Sequence, residues 1–276
     1  MEPKSFTWQT SDHVKLVGQS WKTSKKEKAV IVLVHGLGEH CLRYQHLADF
    51  FNNAGISVIS FDLRGHGQSE GVRGHVASYD AVCDDIEFVI EKSRKDSPKI
   101  PIFLYGHSLG GELVLYYLLK RKPELKGAIV TAPVLIPGAP VPPWKMVMAK
   151  IMDRIAPTFT LPNGLDRSGL SRDPEVEKKY SSDPLVHDMV SARLGMELLN
   201  KGQYILDHAK ELKTPLLIMQ GSADRIVDVP KTLEFSQKAN HSSTLKIWDG
   251  HYHELHNEPD KLDVMKFELN WLNKQL

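Results

Sequence analysis

Apolar, largely β-branched runs bounded by Gly, Pro or Asp recur at Ala29–Val34, Ile56–Phe61, Pro101–Tyr105, Ala128–Thr131, Leu216–Met219 and Leu245–Trp248. A run without a polar face predicts a strand covered on both sides, as in a parallel sheet. Between most of these runs, apolar residues fall three or four positions apart over Tyr44–Asn53, Tyr79–Lys95, Leu109–Lys122, Pro230–Asn240 and Pro259–Lys274. That spacing predicts helices with one buried face. Strands alternating with helices predict a doubly wound α/β fold, a mostly parallel central sheet flanked by helices. Ahead of the first run, Phe6–Trp8 and Lys15–Trp21 alternate polar with apolar residues, which predicts an antiparallel edge hairpin.

The alternation stops between about 134 and 209, where no buried-strand pattern occurs and Pro133, Pro137, Pro140, Pro142 and Pro143 cluster. The segment is expected to be a helical cap inserted after the sixth strand of a single domain spanning 1–276. Within it, Trp144, Val147, Met148, Ile151, Met152 and Ile155 fall on one stripe of a helix, with Lys145, Lys150 and Arg154 off the stripe. The stripe suits a lid packed on the core, and it equally suits a lipid-facing surface.

Composition narrows the partners. The 276 residues are 41% hydrophobic and 25% charged, enough for a large core, which excludes a disordered or fibrous chain. With 35 basic against 34 acidic residues and a net charge of +1, there is no basic excess for binding nucleic acid. Two cysteines, Cys41 and Cys83, are too few for a disulfide framework and fit a reducing compartment. Met1–Thr10 carries no apolar stretch of the signal-peptide kind. The longest apolar run, Leu113–Leu119, falls far short of the ~20 residues a membrane-spanning helix needs. A cytoplasmic protein that touches a membrane or micelle surface only peripherally, through the cap, is expected.

The strongest local signal is Gly106-His107-Ser108-Leu109-Gly110, directly after one strand pattern and before a helix pattern. In that setting the motif is a nucleophile elbow, a sharp turn that lifts the serine hydroxyl clear of the sheet. A serine needs a base with a pKa near neutrality and a third group to orient it. These partners should follow late strands in the order acid, then histidine. Asp224 follows Leu216–Met219 and is preferred to Asp228, which lies further round its loop, and to Asp249, close behind its own strand. His253 is the natural base after Leu245–Trp248, although spacing alone does not separate it from His251 and His256. A metal site is not expected, because His253-Glu254-Leu255-His256 is one residue short of a zinc helix motif. The oxyanion of an acyl-transfer intermediate needs amide donors. They are expected from Leu109, after the nucleophile, and from Leu37 in His35-Gly36-Leu37-Gly38, with His35 held by backbone.

These residues resemble the monoacylglycerol lipase family of the serine α/β-hydrolases. The similarity runs over nearly the whole chain: His35-Gly36-Leu37-Gly38-Glu39-His40 with Arg43-Tyr44, then Asp62 through Gly71, the elbow, and Leu170-Ser171-Arg172. It continues through Tyr180 to Leu185, Gln220 through Arg225, and Tyr252-His253 with Leu255-His256. The resemblance implies the α/β-hydrolase fold, Ser108 as nucleophile, Asp224 as orienting acid and His253 as base. It also implies Glu39, Arg43, Tyr180 and His256 at the glycerol-binding polar end of the pocket, although Glu39 and Arg43 equally suit a salt bridge holding the loop. Two positions depart from mammalian members: Leu37 stands for a small alanine, and Val227 for a cysteine. The expected reaction is hydrolysis of monoacylglycerol to fatty acid and glycerol through an acyl-enzyme, without a cofactor. A lysophospholipase or general carboxylesterase uses the same triad, and a non-catalytic receptor on the same fold is the remaining alternative.

Overall fold

Residues 2–138 and 142–276 are described in the computed structural model of the chain, so Pro140 of the proline cluster lies outside the described residues. The alternating segments at the start pair as predicted, with β1 (Lys4–Gln9) antiparallel to β2 (Lys15–Trp21). The apolar runs become β3 (Ala29–Val34), β4 (Ile56–Phe61), β5 (Ile102–His107), β6 (Gly127–Thr131), β9 (Leu216–Gly221) and β10 (Ser243–Trp248). Together they form an eight-stranded sheet in the order β1-β2-β4-β3-β5-β6-β9-β10. β2 meets β4 antiparallel, and the remaining neighbours are parallel.

The reason the apolar runs had no polar face is visible in β3. Val30, Val32 and Val34 enter the core on one side of the sheet, and Ala29, Ile31 and Leu33 enter the core on the other. The first core is covered by α2 (Tyr79–Asp96), α3 (Leu109–Arg121), α6 (Ala192–His208) and α7 (Val229–Lys238), the second by α1 (Gln45–Asn53) and α8 (Lys261–Gln275). Each fully buried large side chain contributes ~1.5–3 kcal/mol, so both faces select the register strongly. Polar caps fix where helices begin: Ser78 accepts from the Ala81 amide at 3.1 Å, and Ser191 from the Leu194 amide at 3.0 Å.

Between β6 and β9 the described chain adds nothing to the large sheet. It forms α4 (Pro143–Ile155), a small antiparallel pair of β7 (Thr160–Pro162) and β8 (Met189–Ser191), α5 (Pro174–Ser182) and α6. The two strands are too short to leave a periodic pattern. α4 reverses one of its two expected orientations. Trp144, Val147, Met148, Ile151 and Ile155 face outward, with Trp144 66% and Ile155 72% exposed. Met152, at the edge of the stripe, is partly covered, as are Met146 and Ala149 away from it, and α4 packs against α6. An ion pair between Asp153 and Arg193 joins the two helices. The stripe is therefore not buried on the core.

Candidate active site

β5 ends in a turn that the elbow residues alone make possible. Ser108 adopts φ 54° and ψ −118°, a strained conformation for a residue with a side chain. A Cβ added at Gly106 would stand 2.4 Å from the Gly110 carbonyl oxygen, and one at Gly110 would stand 2.1 Å from the Val34 oxygen. The two glycines let strand, turn and helix pack this closely. The turn is held by the Ser108 amide donating to Thr131 O at 3.0 Å and by Glu112 N donating to Ser108 O at 3.0 Å.

The loops after β9 and β10 bring two further groups to the serine. His253 Nε2 lies 2.9 Å from Ser108 Oγ, and its Nδ1 lies 2.7 Å from Asp224 Oδ2. Asp224 is itself fixed: Oδ1 accepts from the Ile226 and Val227 amides, and Oδ2 accepts from Gln220 Nε2 at 2.8 Å. All three members are buried. Burial opposes charging the imidazole, yet the Asp224 carboxylate and its hydrogen bond, assisted by Glu254 and Glu39, raise His253 above the ordinary histidine value. Burial likewise opposes the Asp224 charge, and His253 with the two amides outweighs it, leaving this carboxyl below its usual value.

The rival residues have other partners. Asp228 caps α7 through the Lys231 amide at 3.2 Å, and Asp249 accepts from the Ser222 hydroxyl at 3.0 Å. His251 faces Asp260 at 3.0 Å. His256 is fully buried, stacked 4.7 Å from the Tyr44 ring and edge-on to the His107 ring at 4.8 Å. Burial and the neighbouring imidazoles push it well below the ordinary histidine value. Its side chain is covered by protein in this structure.

Beside the serine, the loop after β3 is fastened from several directions. His35 Nε2 accepts from the Leu63 amide at 2.9 Å, which leaves Nδ1–H to donate to Gly36 O at 2.8 Å, so this histidine is held by backbone as expected. Glu39 Oε1 accepts from Gly36 N at 2.6 Å and from the Tyr44 hydroxyl at 2.7 Å. Its other oxygen pairs with Arg43, whose guanidinium lies 4.7 Å above the Tyr180 ring. Burial would raise the Glu39 carboxyl, but Arg43 dominates the opposing charges and brings it to about 2. The Tyr180 hydroxyl reaches Leu37 O at 3.5 Å. The structure thus gathers Glu39, Arg43 and Tyr180 beside Leu37. The Leu37 and Leu109 amides have no acceptor among the described residues. Sequence reasoning missed Glu254, which grips Arg43 with both oxygens at 2.8 Å; its place next to His253 was the one available signal. Among the described residues, no three His, Cys, Asp or Glu side chains form a group able to hold a metal ion.

This geometry can be set beside known proteins. A family model described as serine aminopeptidase S33 matches residues 25–260. An uncharacterized abhydrolase domain-containing protein of Dictyostelium discoideum is 35% identical over 97% of the chain, which spans only 28% of that longer protein. A monoacylglycerol lipase of Mycolicibacterium smegmatis is 33% identical over 95% of this chain and 94% of its own. The crystal structure of the Paleococcus ferrophilus monoacylglycerol lipase superposes with a TM-score of 0.85, at 33% identity, over 100% of both chains. The chain belongs to the monoacylglycerol lipase family of serine hydrolases. As a member of that family it has the α/β-hydrolase fold that the resemblance implies, and its sheet is mostly parallel, as its apolar runs predict. No helix among this family member's described residues is long and apolar enough to cross a membrane.

Proposed function

We propose that the chain cleaves the ester bond of monoacylglycerols, releasing fatty acid and glycerol through an acyl-enzyme on Ser108. The observation that carries this reading is the single imidazole of His253 spanning Ser108 Oγ and the Asp224 carboxylate. His253 Nε2 takes the hydroxyl proton as Oγ attacks the ester carbonyl. The oxyanion that forms is received by the Leu37 and Leu109 amides, and each such donor is worth about 10²–10³ in rate. His253 then passes its proton to the departing glycerol oxygen. Water deprotonated by the same nitrogen attacks the acyl carbonyl and frees the acid. Arg43 and Tyr180, with Glu39 orienting Arg43, form the polar end that receives the glycerol hydroxyls, and His256 supports that wall from behind.

Residues 134–209 act as a cap over this site. The outward stripe of α4, with Phe159 and Leu161 also exposed nearby in the chain, supports peripheral contact with a lipid surface, where substrate is concentrated. The test is fatty-acid release from mono-, di- and triacylglycerol and lysophosphatidylcholine of one acyl chain. Wild type should favour monoacylglycerol, and Ser108→Ala should lose at least 10³-fold while remaining folded. Preference for the lysophospholipid would move the substrate and keep the triad. Full activity of Ser108→Ala would end the mechanism.

A further inference from the structure

His253 and Glu254 are consecutive, and their side chains serve different partners. The imidazole meets Ser108, and the carboxylate meets Arg43. Glu254 is buried and fully committed: its oxygens take two parallel bonds from the Arg43 guanidinium at 2.8 Å each, and Asn257 Nδ2 adds a third at 2.7 Å. Its own amide donates to Leu170 O at 2.7 Å. Arg43 passes the connection to Glu39, and Glu39 holds the Gly36 amide at 2.6 Å. Gly36 lies against the nucleophile, since a Cβ there would stand 3.2 Å from Ser108 Cβ. An unbroken polar chain therefore runs from the residue after the base to the loop that presents the Leu37 amide.

The charge count makes this chain unusual. Glu39 and Arg43 alone would be a neutral buried pair, and Glu254 adds a second carboxylate that must be desolvated at considerable cost. What that carboxylate adds is a rigid, planar, two-bond link between segments 211 positions apart in sequence. We propose that Glu254 is a positioning residue: acting through Arg43 and Glu39, it sets the distance between the oxyanion loop and the His253 loop. The inference rests on the esterase reading above. It gives Glu254 no contact with substrate, so its influence should appear mainly in kcat, through the oxyanion loop, with only a small effect on ground-state binding through Arg43.

The experiment compares wild type, Glu254→Gln and Glu254→Asp on a monoacylglycerol kept below its aggregation concentration. Competent sites are counted by fluorophosphonate titration, so an unfolded fraction does not enter the rates. Glu254→Gln leaves the neutral Glu39–Arg43 pair and should fold. Its kcat per competent site should fall about 10–100-fold with KM within about threefold. The Ki of an alkyl boronic acid, which forms a tetrahedral adduct on Ser108, should weaken in step. Glu254→Asp keeps the charge but shortens the reach by a methylene, and it should lose kcat similarly. Activity of Glu254→Gln within twofold of wild type overturns the proposal, as does full activity of Glu254→Asp, which would show that charge and not the link matters. Turnover by wild type and its loss in Ser108→Ala, run alongside, keep the esterase reading separately testable.

Discussion

Ser108 carries backbone strain and the two glycines around it carry the close packing, so the elbow is vulnerable to changes that leave every catalytic group in place. At Gly110 the intruding methyl would meet the Val34 and His35 carbonyls, which are rigid backbone at the root of the oxyanion loop. Gly110→Ala is expected to displace that loop and lower kcat/KM by at least 100-fold, measured with a short soluble ester. The protonation of His253 gives a second residue-level prediction. Because Asp224 raises this imidazole, the base becomes neutral only above the ordinary histidine value, and kcat/KM should rise with pH through that raised midpoint. Asp224→Asn removes the charge that lifts it. The acidic limb should then move to lower pH while the plateau drops by ~10⁴, the size expected when the tautomer is no longer held. A limb that stays in place would mean that Asp224 does not control the base.

At the scale of elements, α4 shows where periodicity informs and where it stops. Its stripe correctly marks a helix, because i, i+3, i+4 spacing fixes which residues share a face. The same spacing contains no information on what covers that face, and the structure turns it to solvent. β7, β8 and α5 were hidden for a related reason: two three-residue strands and a nine-residue helix that buries only Tyr180 leave too little pattern in any one window. The three residues of the proposed triad were easier to place, since Ser108, Asp224 and His253 each follow a strand whose apolar run is plain. His251, His253 and His256 share one loop, and only the fold separates their directions. The large exposed side chains of α4 predict a measurable membrane effect. Replacing Trp144, Ile151 and Ile155 together by Ser should weaken flotation with liposomes at least tenfold. Hydrolysis of a soluble short-chain ester should change by less than twofold. Unchanged flotation would remove α4 from any membrane contact.

For the molecule as a whole, a fully buried carboxyl without an ion-pair partner among the described residues lies on either side of the sheet. Glu112 on α3 meets the Tyr79 hydroxyl at 2.9 Å, and Glu268 on α8 meets the Tyr105 hydroxyl at 3.1 Å, each with its second oxygen lacking a partner among the described residues. Burial raises Glu112 well above the usual carboxyl value and lifts Glu268 to about 8, with the Tyr105 bond opposing it only partly. In the unfolded chain such a group titrates near 4.5, so between there and about 8 the folded protein holds a proton that the unfolded chain has lost. Stability must therefore fall as pH rises across that window. These groups thus act opposite to Asp224, whose lowered value favours the fold at higher pH. Glu268→Gln keeps an acceptor for Tyr105 and cannot ionise. Its thermal midpoint should match or exceed that of wild type at pH 9 and decline less between pH 6 and pH 9, followed by calorimetry. Parallel declines in the two proteins would show that Glu268 is not the group whose proton the folded sheet retains.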